Sequence, residues 1–131
     1  MSQVPKEIKD FVATFRTQSD LSAKKYYLGR LSSGLIVVGA ASKGGKVDGV
    51  ILDKVYATDT SEKDVTLQIG GIARVKAGGN ISAGDTLIAD TNGTVVVPTG
   101  AGQFVVGIAL EDGVSGDIIS VRLILAPTAT A

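Results

Sequence analysis

The stretch Thr86-Leu87-Ile88-Ala89-Asp90-Thr91-Asn92-Gly93-Thr94-Val95-Val96-Val97 decides the fold class. Two short aliphatic, β-branched runs flank Asn92-Gly93, a dipeptide suited to a hairpin turn whose central residues both take positive φ. The same pattern continues on either side. Further β-favouring runs at 25–31, 35–40, 49–57, 64–70, 72–76, 104–110 and 118–125 are separated by clusters of Gly, Asn, Asp and Ser. Runs this close together, with no helix between them, predict an all-β domain: a compact antiparallel barrel or sandwich of short strands. Within 64–70, Val65, Leu67 and Ile69 alternate with Thr66 and Gln68, so the two sets face opposite ways. Within 118–125, Ile119, Val121, Leu123 and Leu125 oppose Ile118, Ser120, Arg122 and Ile124. That second face is only partly polar, which predicts cover on both sides, plain surface residues or a subunit contact.

Residues 4–16 read differently. Pro5 suits the first position of a helix and Glu7 its first turn, where the helix dipole favours a negative charge. Ile8, Phe11, Val12 and Phe15 recur at i, i+3, i+4 and i+7, which predicts one apolar helical face. A helix of about a dozen residues is marginal in water, so the stripe must dock. It covers the end of its own β core, grips a neighbouring subunit, or orders as an extended arm on assembly. The expected organisation is an N-terminal arm over 1–19, helical or extended, a β domain over 20–126 and a flexible tail over 127–131. The arm's expected contact residues, with a partner surface or a neighbouring subunit, are Ile8, Phe11, Val12, Phe15 and Arg16, beside Lys6 and Lys9 on the polar face.

Composition narrows the chemistry. The 131 residues are 44% hydrophobic and include no Cys, no His and no Trp. One domain with a real core is the natural expectation at this length. Without Cys there is no disulfide, thiolate metal site or cysteine nucleophile, and without His the Ser-His-Asp and Cys-His mechanisms are excluded and zinc is disfavoured. Lys6, Glu7, Lys9, Asp10, Arg16 and Asp20 interrupt any apolar leader, and no run is long enough to span a bilayer, so a soluble protein is expected. Thirteen basic residues balance 13 acidic ones, which argues against sequence-independent nucleic-acid binding. The balance is uneven along the chain: residues 1–30 hold six Lys/Arg against three Asp/Glu, and residues 31–131 hold seven against ten. Such asymmetry is either scatter or a mildly basic arm that meets an acidic surface on its own body or another subunit.

No segment carries a recognisable catalytic pattern. Gly100-Ala101-Gly102 through Gly107 lacks the spacing and the strand-then-helix context of a phosphate loop. Asp85, Asp90, Asp112 and Asp117 lie beside turn residues without calcium-loop spacing, so each is expected to bond its own backbone. Lys24, Lys25 and Arg30 flank Tyr26 and Tyr27 in the manner of an aromatic-basic platform for nucleic acid. With no wider basic patch, a strand with packed tyrosines is the preferred reading.

The run Val75-Lys76-Ala77-Gly78-Gly79-Asn80-Ile81-Ser82-Ala83-Gly84-Asp85-Thr86-Leu87 is more specific. It resembles a turn in lipoyl and biotinyl carrier domains, but the hairpin that follows carries Asp90-Thr91-Asn92-Gly93 where a carrier presents its modified Lys. A fuller resemblance is to the capsid decoration (cement) proteins of tailed bacteriophages. Asp20-Leu21-Ser22-Ala23-Lys24-Lys25-Tyr26-Tyr27 resembles that family's opening strand, and Gly49-Val50-Ile51 a second landmark. Gly70 to Gly78, Gly84-Asp85-Thr86-Leu87 with Asp90 to Gly93, Gln103 to Glu111 and Gly116 to Val121 follow in family order, so the likeness covers about 20–125.

This resemblance implies a structural protein and not an enzyme, with no cofactor, metal or small-molecule substrate and no nucleic-acid or membrane partner. It implies a partner in the major capsid protein, whose subunits it bridges on the outer surface of the expanded head, and a homotrimer at three-fold or quasi-three-fold positions. It also implies synthesis in the host cytoplasm, with which the lack of Cys agrees. The alternatives are a virion-associated module for a receptor or carbohydrate, or a carrier-type β domain; 5% aromatic content without Trp disfavours sugar stacking. A hydrolase built on paired carboxylates has only scattered Asp in its favour.

Overall fold

The computed structural model describes residues 11–56 and 61–129. Among them there is no helix, and ten strands run in chain order: β1 (Val12–Thr17), β2 (Leu28–Ser32), β3 (Leu35–Val38), β4 (Gly49–Ile51), β5 (Lys63–Gln68), β6 (Ile72–Lys76), β7 (Thr86–Ala89), β8 (Val95–Val96), β9 (Gln103–Ala109) and β10 (Ile118–Ala129). They form two five-stranded sheets, ordered β1-β5-β4-β2-β3 and β6-β10-β9-β7-β8. Every strand pairing within the sheets is antiparallel. The sheets pack as a sandwich, which resolves the barrel-or-sandwich expectation, and each is strongly curled. In the first, edge strands β1 and β3 approach, and the buried Thr17 hydroxyl donates to the Ile36 carbonyl at 2.8 Å. In the second, the ends of β6 and β8 meet at one parallel bridge, Ala77 to Val95.

Two apolar clusters result. The larger joins the sheets: Leu28, Ala40, Val47 and Val50 from the first meet Val75, Leu87, Val106, Ile119 and Val121 from the second. The smaller fills the curl of the first sheet with Leu21, Ile36, Ile51, Val55, Val65 and Leu67, against which Phe15, Tyr27 and Val38 pack. Period-two alternation sorts the strands between them. On β4, Val50 enters one cluster and its neighbour Ile51 the other. The 39–45 loop is laced to the second sheet, with Ala40 N–H donating to Asp90 O, Gly44 N–H to Ala89 O and Phe104 N–H to Gly44 O.

The expected helix is corrected. Residues 12–17 form β1, paired residue for residue with β5 from Val12 opposite Gln68 to Thr17 opposite Lys63. β-Branched Val12, Thr14 and Thr17 favour a strand, and pairing along the whole β5 edge stabilises it where an isolated short helix is marginal. Residues 4–10, with the rest of the expected helix, lie outside the described residues. β10 continues to Ala129, past the boundary expected at 126/127.

Two local readings also change. Ala89 pairs with Val95, so the hairpin at Asn92-Gly93 is longer than two residues. Only Gly93 takes positive φ there, Gly93 N–H closes a turn onto Asp90 O at 3.1 Å, and Asn92 Oδ1 is occupied by Thr94 N and Oγ1. The two-residue primed turn lies instead between β2 and β3, where Ser33 (φ 51°) and Gly34 (φ 81°) both turn left-handed. β2 begins at Leu28, not near 25, because Lys24–Tyr27 form a turn in which Tyr27 N–H donates to Lys24 O.

Candidate functional site

The five residues expected to make contacts do not form one stripe. Ile8 lies outside the described residues. Phe15 points toward the smaller cluster beside Val65, its partner across β5. Arg16 projects from the sheet and pairs with Asp64 at 3.1 Å, with Glu62 at 3.8 Å. Val12 is 44% exposed. Phe11, 40% exposed, lies close over Gly70-Gly71: a Cβ built on Gly70 would sit 3.1 Å from the ring, a tight contact that the ring would have to shift to relieve. Ile69 N–H donates to Phe11 O at 2.8 Å. The two glycines thus form the flat seat of an exposed aromatic at the corner where the chain passes between the sheets.

Around that corner the surface is apolar. Ile69 is 41% exposed and Ile72 62%. Gln68 fixes the corner by donating from Nε2 to Gly70 O and Ile72 O. Ile72 stands opposite Arg122 on β10, and Arg74 opposite Ser120, so this patch continues onto the outer face of the second sheet. Ile118 and Ile124 are also exposed there, while Ile119, Val121 and Leu123 point into the core. Of the readings open for the mixed face of 118–125, cover on both sides does not occur among the described residues. Composition gave no reason to single out Ile72. The partly apolar outer set of 118–125 was the signal that pointed to this face.

The second feature is cationic and aromatic. Lys24 Nζ stands 4.7 Å from the Tyr27 ring centre, Lys76 Nζ 5.7 Å from the same ring, and Lys25 Nζ 5.1 Å from that of Tyr26. Lys76 comes from the second sheet and was not part of the sequence pattern. Arg30 is directed elsewhere, donating to Gly39 O. Tyr26 takes φ 73°, a left-handed conformation that costs a bulky residue about 1–3 kcal/mol. Two hydrogen bonds hold it: Tyr26 N–H donates to Ile51 O at 2.8 Å, and its carbonyl accepts from Lys76 N–H at 2.9 Å. The strained residue therefore ties the sheets together.

The other sequence candidates are structural. Asp85 accepts from Ser82 N–H, Asp117 from Val114 N–H and Asp90 from Thr91 N–H, the turn role expected of them, whereas Asp112 departs from it and accepts from Ala83 N–H in another loop. Among the described residues no group of three acidic side chains is placed to hold a metal ion. In the glycine-rich 99–103 loop, the Thr99 and Gly100 N–H groups donate to Gln103 Oε1, so the loop binds its own side chain. No helix among the described residues is long and apolar enough to cross a membrane. The geometry offers surfaces for adhesion: an apolar corner and sheet face, and a lysine-tyrosine cluster.

Comparison with known proteins agrees. No curated protein sequence matches the chain. The structure is similar to the crystal structure of the head fiber gp8.5 N base in bacteriophage phi29, with a TM-score of 0.69 and 22% identity over 88% of this chain and 97% of that one. At that identity the likeness establishes the shared fold. The profile described as phage cement protein matches residues 35–123, from the start of β3 well into β10. The chain belongs to the phage cement protein family, and is thereby a capsid-associated structural component of a phage particle.

Proposed function

We propose that the protein decorates the outer surface of the expanded head and stabilises it by bridging neighbouring major capsid protein subunits, as a homotrimer at three-fold or quasi-three-fold positions. The observation that carries this reading is the extent of the family match: residues 35–123 run from β3 through β9 into β10 and so draw on both sheets, not on an appendage. The exposed apolar corner and sheet face supply area for adhesion. A protein that binds only the expanded lattice shifts the shell toward that state by its differential affinity. At a free concentration of 100 Kd, each occupied site contributes about 2.7 kcal/mol, and the repetition of sites round a shell multiplies the effect. In this reading the N-terminal arm meets the capsid or an adjacent protomer through Ile8 and Phe11 ahead of β1 and through Val12 and Arg16 on its outer face, with Phe15 anchoring the strand in the body.

The test is cosedimentation of the full chain with expanded and unexpanded heads of its phage, paired with thermal melting of the heads. Binding to expanded heads alone, with a raised melting temperature, is the expected result. Equal binding to both forms, or none to either, rejects the proposal. Mass measurement in solution and on the particle checks the trimer.

A further inference from the structure

We propose that Lys24, Lys25 and Lys76, gathered on Tyr26 and Tyr27, form a docking surface for an acidic protein segment displayed by the capsid. The proposal rests on the decoration reading and names the chemistry of one of its contacts. Three ammonium groups from the 24–27 turn and from β6 converge on two adjacent rings, at 4.7, 5.1 and 5.7 Å. None of the three has a carboxylate within ion-pair distance among the described residues, whereas Arg16 has two and Lys46 one. Among the described residues, the loop carboxylates are engaged elsewhere. Asp85, Asp90 and Asp117 accept backbone N–H groups in their own turns, Asp112 accepts from Ala83 N–H in another loop, and Glu111 accepts from Ser120 N–H.

The cluster is also held in advance of any partner. Tyr26 is pinned at positive φ between Ile51 O and Lys76 N–H, which fixes the turn carrying Lys24 and Lys25 against the strand carrying Lys76. Preorganised cations lose less freedom on binding than lysines on a mobile loop. A protein partner fits better than nucleic acid. The Tyr rings already seat ammonium groups and are not free platforms for bases, and a chain of zero formal net charge lacks the broad basic field that phosphate backbones require.

The experiment measures affinity of the full chain for expanded heads over a series of salt concentrations. It compares the wild type with Lys24→Glu/Lys76→Glu, with the milder Lys24→Gln/Lys25→Gln/Lys76→Gln, and with Lys43→Glu and Lys54→Glu as controls at exposed lysines that are not members of the cluster; melting curves verify folding. The expected result is a loss of about tenfold or more for the reversal pair, a flatter salt dependence for the Gln variant, and little change for the controls. Polyglutamate peptide should compete with heads better than a single-stranded oligonucleotide of matched charge. Wild-type affinity in both cluster variants overturns the proposal while leaving capsid decoration intact. Stronger competition by the oligonucleotide also overturns it, assigning the cluster to nucleic acid. Failure of the wild type to bind heads at any salt concentration removes the decoration reading and this proposal with it.

Discussion

Thr17 shows how much one polar side chain can decide. It is fully buried, its hydroxyl donates to Ile36 O and accepts from Ser19 N–H, and it is the link between the two edges of the first sheet. Thr17→Val keeps the shape and strips the hydroxyl, leaving a buried carbonyl without its donor. The expected cost is about 1–3 kcal/mol, read by urea denaturation. Ser33 offers the opposite case. It holds φ 51° in the two-residue turn between β2 and β3, a conformation Asn tolerates better than Ser. Ser33→Asn should therefore raise stability by a few tenths of a kcal/mol, about 0.5, in the same assay. Arg16 differs from both. Its pairs with Asp64 and Glu62 lie on the surface, and such pairs contribute roughly 0–1 kcal/mol. A large loss of head binding in Arg16→Ala, with an unchanged melt, would mark Arg16 as a contact residue.

β1 is where sequence period and tertiary pairing compete. Phe11, Val12 and Phe15 satisfy a helical spacing, yet the strand they occupy alternates, with Phe15 inward and Val12 and Arg16 outward. Removal of residues 1–18, which a docked arm would tolerate, should instead expose the β5 edge, withdraw Phe15 from the smaller cluster and delete the Thr17 link. The expected outcome is a loss of several kcal/mol, about 3 or more, and a tendency to aggregate through the bared edge. Removal of residues 1–10 spares every one of those contacts and should leave the melt nearly unchanged. If both truncations melt alike, β1 does not belong to the cooperative body. At the far end, Leu125 turns to positive φ (52°) where the pairing of β10 with β9 shifts register, so a bulge ends the clean alternation that 118–124 show.

Across the whole molecule, the larger cluster draws on both sheets, and hydrogen bonds from the 39–45 loop and Tyr26 cross between them. The sheets should therefore unfold together. Leu28→Ala, at a fully buried position in that shared cluster, is expected to cost about 2–5 kcal/mol and to shift far-ultraviolet dichroism and tyrosine fluorescence by the same amount. Separate transitions would mean that the sheets are independent units. A rigid body with adhesive surfaces suits a protein that reinforces a lattice, since little conformational entropy is lost at each contact.

The sequence by itself determined the all-β class, the positions of β3 and β5 to β9 to within two residues at each end, the turn role of Asp85, Asp90 and Asp117 and the resemblance to capsid decoration proteins. These rest on local properties: β-branched runs, Gly-Asn-Asp punctuation and period-two alternation. Only the tertiary structure decided that residues 12–17 form a strand, that the primed turn falls at Ser33-Gly34 and not at Asn92-Gly93, and that Lys76 joins Lys24 and Lys25. For the strand and the lysine cluster the deciding energy comes from groups distant in the chain, the free edge of β5 and the Ile51 and Lys76 backbones that hold Tyr26; at Asn92-Gly93 it comes from Thr94, two residues on, which occupies the Asn92 side chain. Spacing along a chain records which faces a segment can present, and only the packed neighbours select one.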